Sequence, residues 1–180
     1  MKIDRDKAAL LVVDMQPSVL ELVPGHAAIL KNCQWLTDLC SDLNVPIQFS
    51  AHYPRGLGPI SPSLLDRVVA PAVQEKACFS YVEEGALAES HASAREHWIV
   101  CGIEAHACVL LTALDLAANG KQVFVVVDAI AARTEVDKSV ALQRMLAAGI
   151  ITVTREMVFF ELLRRAGTPE FKACAKKFLQ

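Results

Sequence analysis

The strongest constraint on this chain is a repeated alternation of short, wholly apolar runs with longer runs of helical period. Ala8 to Val13 is apolar at every position and stops at Asp14. A run that short, with no polar face, suits a strand buried on both sides, as in a parallel sheet. Ile29, Leu30, Cys33, Leu36, Leu39 and Cys40 then recur at helical spacing, which predicts a helix over Gly25 to Leu43. The same alternation continues down the chain. Strands are expected at Pro46 to Ser50, Ala72 to Lys76, Trp98 to Cys101, Gln122 to Val127 (stopping at Asp128) and Ile150 to Val153. Helices are expected at Ala86 to Glu96, Ala105 to Asn119, Glu135 to Ala148, Met157 to Arg165 and Pro169 to Phe178, two of them closed by Gly120 and Gly149. Tyr53 to Pro62 holds three prolines and two glycines and reads as a loop.

Six strands alternating with helices imply one α/β domain over residues 1–180. The expected architecture is a three-layer α/β/α sandwich on a six-stranded, mostly parallel, Rossmann-like sheet. Composition narrows the function. The net charge of -2 supplies no basic field for nucleic acid. The apolar runs fall well short of the roughly 20 residues that span a bilayer, so no membrane partner is expected. The first residues show no signal-peptide pattern, and the protein is read as cytoplasmic. Cys33, Cys40, Cys78, Cys101, Cys108 and Cys174 form no Cys-x-x-Cys pair and are expected as reduced thiols.

In open parallel sheets, ligands bind beyond the carboxyl ends of the strands. That rule points to Asp14, Ser50 to Tyr53, Lys76, Gly102 to Cys108 and Asp128. Cys108 falls near the expected start of a helix, where unpaired N–H groups favour a thiolate. Read singly, the plainer reading is favoured for each: Cys108 as a packing cysteine, Asp14 as an N-cap or loop acceptor and Lys76 as a solvated lysine. Together, an acid, a lysine and a thiol at different strand ends make a nucleophile with a proton acceptor and a tuning charge. His106, two residues before Cys108, cannot face it on a helix. Met157, Phe159, Phe160, Leu162 and Leu163 form a cluster that is either core or subunit interface.

These residues carry a resemblance. Leu11-Val12-Val13-Asp14-Met15-Gln16, Lys76 with Ser80, Cys101-Gly102-Ile103-Glu104-Ala105-His106-Ala107-Cys108-Val109, Val125-Val126-Val127-Asp128-Ala129 and Arg133 resemble the isochorismatase-like cysteine hydrolases over nearly the whole chain. Tyr53-Pro54-Arg55-Gly56-Leu57-Gly58-Pro59 is most similar to the isochorismatase-domain-containing group. The resemblance implies a catalytic triad of Asp14, Lys76 and Cys108, and a cis peptide between Ile103 and Glu104. It also implies an oxyanion hole from the N–H groups of Glu104 and Cys108. His52, Tyr53, Phe79, Ser80 and Ile103 are the expected substrate contacts, with Ala51 to Pro62 as part of a lid. A small-molecule substrate and a homo-oligomer are implied as well.

Three departures sharpen this. Nicotinamidases of the family carry Asp-x-His and a further histidine on a metal. Here the region reads Ser50-Ala51-His52, so no metal or other cofactor is expected. Isochorismatases generally lack the nucleophilic cysteine, so Cys108 counts against that reaction. Ala105 stands where a threonine is usual. Two rival readings remain. An oxidoreductase would show Gly-x-Gly-x-x-Gly after the first strand, where this chain has Asp14-Met15-Gln16-Pro17-Ser18. A non-catalytic binding or scaffold protein would keep the same fold.

Overall fold

The computed structural model describes residues 1–179, without the side chain of Glu84. Its six strands are β1 (Ala8–Val13), β2 (Ile47–His52), β3 (Ala72–Lys76), β4 (His97–Ile103), β5 (Gln122–Ala131) and β6 (Ile151–Val153). They form one sheet in the order β3-β2-β1-β4-β5-β6, and every pairing is parallel. The chain builds outward from β1 to β3, then crosses back to β4 and builds the other way. The switch point therefore lies between β1 and β4, and the crevice opens beyond their carboxyl ends.

The two faces of the sheet follow from the two-residue period of a strand. Ala8, Leu10 and Val12 pack into one core with α2 (His26–Asp42), α8 (Arg155–Leu163) and α9 (Pro169–Phe178). Ala9, Leu11 and Val13 pack into the other with α6 (Leu110–Ala118) and α7 (Glu135–Ala147). This is the expected α/β/α sandwich. Four one-turn helices lie in the connections: α1 (Pro17–Leu20), α3 (Pro54–Leu57), α4 (Pro62–Leu65) and α5 (Ala86–Glu89).

Several expectations are corrected. The helix expected from Ala86 to Glu96 is only α5, because residues beyond it offer no sustained apolar stripe. The loop from Tyr53 to Pro62 contains α3 and the start of α4, each with proline at its first position, where the missing N–H costs nothing. β5 does not end before Asp128 but runs on to Ala131, with its register against β4 broken between Val100 and Gly102. Asp128 thus lies within a strand, where its carbonyl accepts from Asn32 and its carboxylate from the Arg155 amide. It anchors α2 and α8 and does not belong to the crevice. In the late apolar cluster Phe159, Leu162 and Leu163 are core, whereas Met157 and Phe160 face out.

Candidate active site

Asp14 is the first residue past β1, and its backbone sits in the left-handed region at φ 49°. Aspartate tolerates that conformation better than most residues, and it turns the carboxylate back over the ends of β1 and β2. The Asp14 amide donates to the Ser50 carbonyl at 3.0 Å. The Ser50 hydroxyl donates to Asp14 Oδ1 at 2.7 Å. Lys76 Nζ donates to Oδ2 at 2.6 Å. Lys76 is 4% exposed. A buried ammonium is tolerable only when its protons find acceptors; here they are Asp14 and the carbonyls of Phe79 (3.1 Å) and Cys78 (3.4 Å).

Cys108 arrives from β4, which is buried along its whole length. Gly102 has φ 115°, and a Cβ there would stand 2.1 Å from the Val13 carbonyl oxygen. Only glycine allows β4 to lie this close to β1. The next peptide, Ile103–Glu104, is cis. The chain then enters a π-turn over Ala105–Val109, in which the Val109 amide reaches the Glu104 carbonyl, and continues as α6. This wide turn brings the Cys108 sulfur within 4.8 Å of an Asp14 carboxylate oxygen, in the field of both Asp14 and Lys76.

The helix-start argument for a thiolate is corrected. Burial, then the Asp14 charge, push the Cys108 thiol up to about 12, and the opposing influence of Lys76 is too small to reverse them. The resting group is a protonated thiol beside a carboxylate.

A cavity of about 200 Å³ opens over this pair, with His52, Phe79, Ile103 and Glu104 in its walls. His52 stacks on Phe79, with ring centroids 5.1 Å apart. Glu104 is held at the rim by Arg133 through Nε (2.7 Å) and Nη2 (3.1 Å). Two expected contacts lie elsewhere. The Ser80 hydroxyl is fully buried and accepts from the Val82 amide, so it braces the loop after β3. Tyr53 is 56% exposed and faces a neighbouring surface groove with Arg55 and Glu75. A larger open groove of about 530 Å³ lies at the amino ends of β2 and β3, beside Pro46, Ala72 and His91, with no acid or thiol in its lining.

Gln16 is a contributor that sequence reasoning passed over. It is fully buried. Its amide accepts from the His52 N–H (2.8 Å) and donates to the carbonyls of His52 (2.9 Å) and Gly58 (2.6 Å). It holds both the His52 backbone and the segment expected to be a lid. The available signal was an uncharged polar residue inside the apolar turn after β1. His52 is also not isolated among possible ligands. One atom each from Asp14, His52 and Cys108 lie within 4.8 Å of one another.

A doubly wound α/β sheet with a thiol, a carboxylate and an ammonium at its switch point defines the class: a Rossmann-like α/β protein with a cysteine-centred pocket. More particularly, the chain belongs to the isochorismatase family, whose Isochorismatase domain model matches residues 8–157. It is 36% identical over 171 residues to isochorismatase domain-containing protein 2A of Mus musculus, covering 95% of this chain and 82% of that one. The MAR1 ribonuclease structure from Caenorhabditis elegans superposes with TM-score 0.93 at 31% identity, over 100% of this chain and 93% of that one. YcaC from Pseudomonas aeruginosa, with hexane-2,5-diol and covalent acrylamide, gives TM-score 0.89 at 26% identity over 99% and 92%.

Proposed function

We propose that this chain is a cysteine hydrolase that cleaves a small amide or related C–N bond through a thioester. The observation that carries the reading is the Cys108 thiol set beside a buried Asp14–Lys76 pair, within 4.8 Å of the carboxylate and facing a cavity. About 200 Å³ is below the usual range for drug-sized ligands, which favours a small substrate. The covalent acrylamide in the P. aeruginosa relative is in keeping with a small amide as ligand.

Because the resting thiol is protonated, proton transfer accompanies attack. As Cys108 Sγ bonds the substrate carbonyl carbon, its proton passes to Asp14. The carbonyl oxygen becomes an oxyanion against the N–H groups of Glu104 and Cys108, where fixed donors favour charge that develops late. Lys76 holds Asp14 in place and balances the charge of the site. Asp14 returns the proton to the leaving amine, the C–N bond breaks and a thioester remains. Water then attacks the thioester with Asp14 as base, and Cys108 recovers its proton. Acid–base help of this kind is worth about 10²–10⁴-fold. His52, Phe79 and Ile103 shape the substrate side of the cavity.

The test is ammonia or amine release from a panel of small amides, with mass spectrometry of the Cys108 peptide for the acyl adduct. Asp14→Asn and Cys108→Ala are each expected to abolish turnover. A correctly folded variant of either kind with near wild-type rate would remove the triad assignment. A second reading, a non-catalytic binding protein of the same fold, is favoured by the protonated thiol. It expects amide binding unchanged in Cys108→Ala and no adduct on the wild type.

A further inference from the structure

We propose that Asp14, His52 and Cys108 also form a binding site for one soft divalent cation of the Zn²⁺ type, and that the bound cation blocks the thiol. The site does not depend on the chain being an amide hydrolase. A carboxylate oxygen, an imidazole nitrogen and a sulfur are the donor types that Zn²⁺ takes, commonly three from protein with a fourth position left for water. The three atoms lie within 4.8 Å of one another. Tetrahedral coordination at Zn²⁺ distances needs O, N and S donors roughly 3.3–3.6 Å apart. Closing the largest difference takes a movement of about an ångström.

Three features prepare the site. First, His52 Nδ1 is buried and has no hydrogen-bond partner among the described residues. Buried polar atoms are nearly always partnered, so this imidazole has a ring nitrogen open to a ligand from outside the chain. Second, the ring is oriented before any ligand arrives: Gln16 holds the His52 backbone at both N–H and C=O, and Phe79 stacks on the ring. Third, Asp14 retains acceptor capacity. Ser50 and Lys76 take one bond at each oxygen, and a carboxylate has about four lone-pair positions.

The balance is simple. The cation enters, the Cys108 S–H bond breaks, its proton leaves to solvent and a metal–sulfur bond forms, with no change in oxidation state. The Lys76 ammonium opposes a second cation, so the affinity falls below that of closed structural zinc sites. Hard cations such as Mg²⁺ prefer all-oxygen shells and are excluded by the sulfur and imidazole.

The experiment is alkylation of the native protein by iodoacetamide, with labelling mapped peptide by peptide, in the presence of Zn²⁺, Mg²⁺ or EDTA. Zn²⁺ should slow labelling of Cys108 by about ten-fold or more, Mg²⁺ should not, and EDTA should restore the rate. Co²⁺ should give a thiolate charge-transfer band that is absent in Cys108→Ser. His52→Ala removes only the ring, leaving the backbone that Gln16 holds, and should weaken Zn²⁺ protection by about ten-fold or more. Circular dichroism checks that this variant is folded. Unchanged Cys108 labelling in Zn²⁺, equal protection by Mg²⁺, or full protection in folded His52→Ala would each overturn the proposal. Failure of the amide screen would leave it standing.

Discussion

Ser50 and Asp14 are bonded to each other twice, once through each residue's side of the contact: the Ser50 hydroxyl donates to Asp14 Oδ1, and the Asp14 amide donates to the Ser50 carbonyl. The pair joins the carboxyl ends of β1 and β2 at the point where the carboxylate must be aimed. A hydrogen bond to a charged group contributes about 1.5–3 kcal/mol. Ser50→Ala should lower stability by about that amount, read as a reduced urea midpoint at constant m. An unchanged midpoint would mean that the hydroxyl only orients the acid.

The state of Cys108 predicts a pH profile. With the thiol pushed up to about 12, its iodoacetamide labelling should keep rising through pH 9 with no plateau. Asp14→Asn removes a charge that raises the thiol, so labelling should quicken at a given pH. Lys76→Met removes the opposing charge and should slow it. A plateau below the ordinary thiol value of about 8.5 would show a resident thiolate.

Burial of thiols also predicts alkaline weakness. Burial raises Cys40 to about 12, and Cys101 is raised by its hydrogen bond with Cys33 and by burial. A folded-state value above the unfolded one means that the folded chain holds the proton more tightly. The stability is then intact below about pH 8.5 and is lost as pH climbs from there toward 12. Each such thiol removes up to about 1.4 kcal/mol per pH unit across that window. Denaturant midpoints between pH 8 and 11 should fall, and Cys40→Ala should make the fall shallower. A flat profile would count against protonated buried thiols.

Gly102→Ala should be among the most damaging single changes. The new methyl meets the Val13 backbone, and the residue must hold φ 115°. A loss of upwards of about 3 kcal/mol is expected, measured by thermal melting or as failure to accumulate folded protein. A stability within 1 kcal/mol or so of wild type would show that β4 can move away from β1.

How far these features were legible in the chain depended on whether their cause was local. β1 was legible to the residue, because six apolar positions ending at an acid admit few other readings. The convergence of Asp14, Lys76 and Cys108 followed from topology, since each stands at a strand end or just past it. The continuation of β5 was hidden because Asp128 looks like a terminus; only contacts with Asn32 and Arg155 explain a carboxylate there. The π-turn before α6 leaves no periodic signature in five residues. Gln16 and Ser50 act through partners 36 residues apart in sequence, which no local pattern encodes. The thiol was misjudged because a helix start is visible in sequence, whereas burial beside a carboxylate is not.

The division of β1 between the two cores has a consequence for how the molecule tolerates change. Leu10 and Leu11 are covalent neighbours that belong to different hydrophobic communities on opposite faces of the sheet. A deletion of one residue inside Ala8–Val13 would not trim one core. It would exchange the membership of both at once and carry Asp14 to the wrong face. The central strand therefore acts as a parity rule for the whole domain: length changes are absorbed in the connections, and the phase of this one segment must stay fixed.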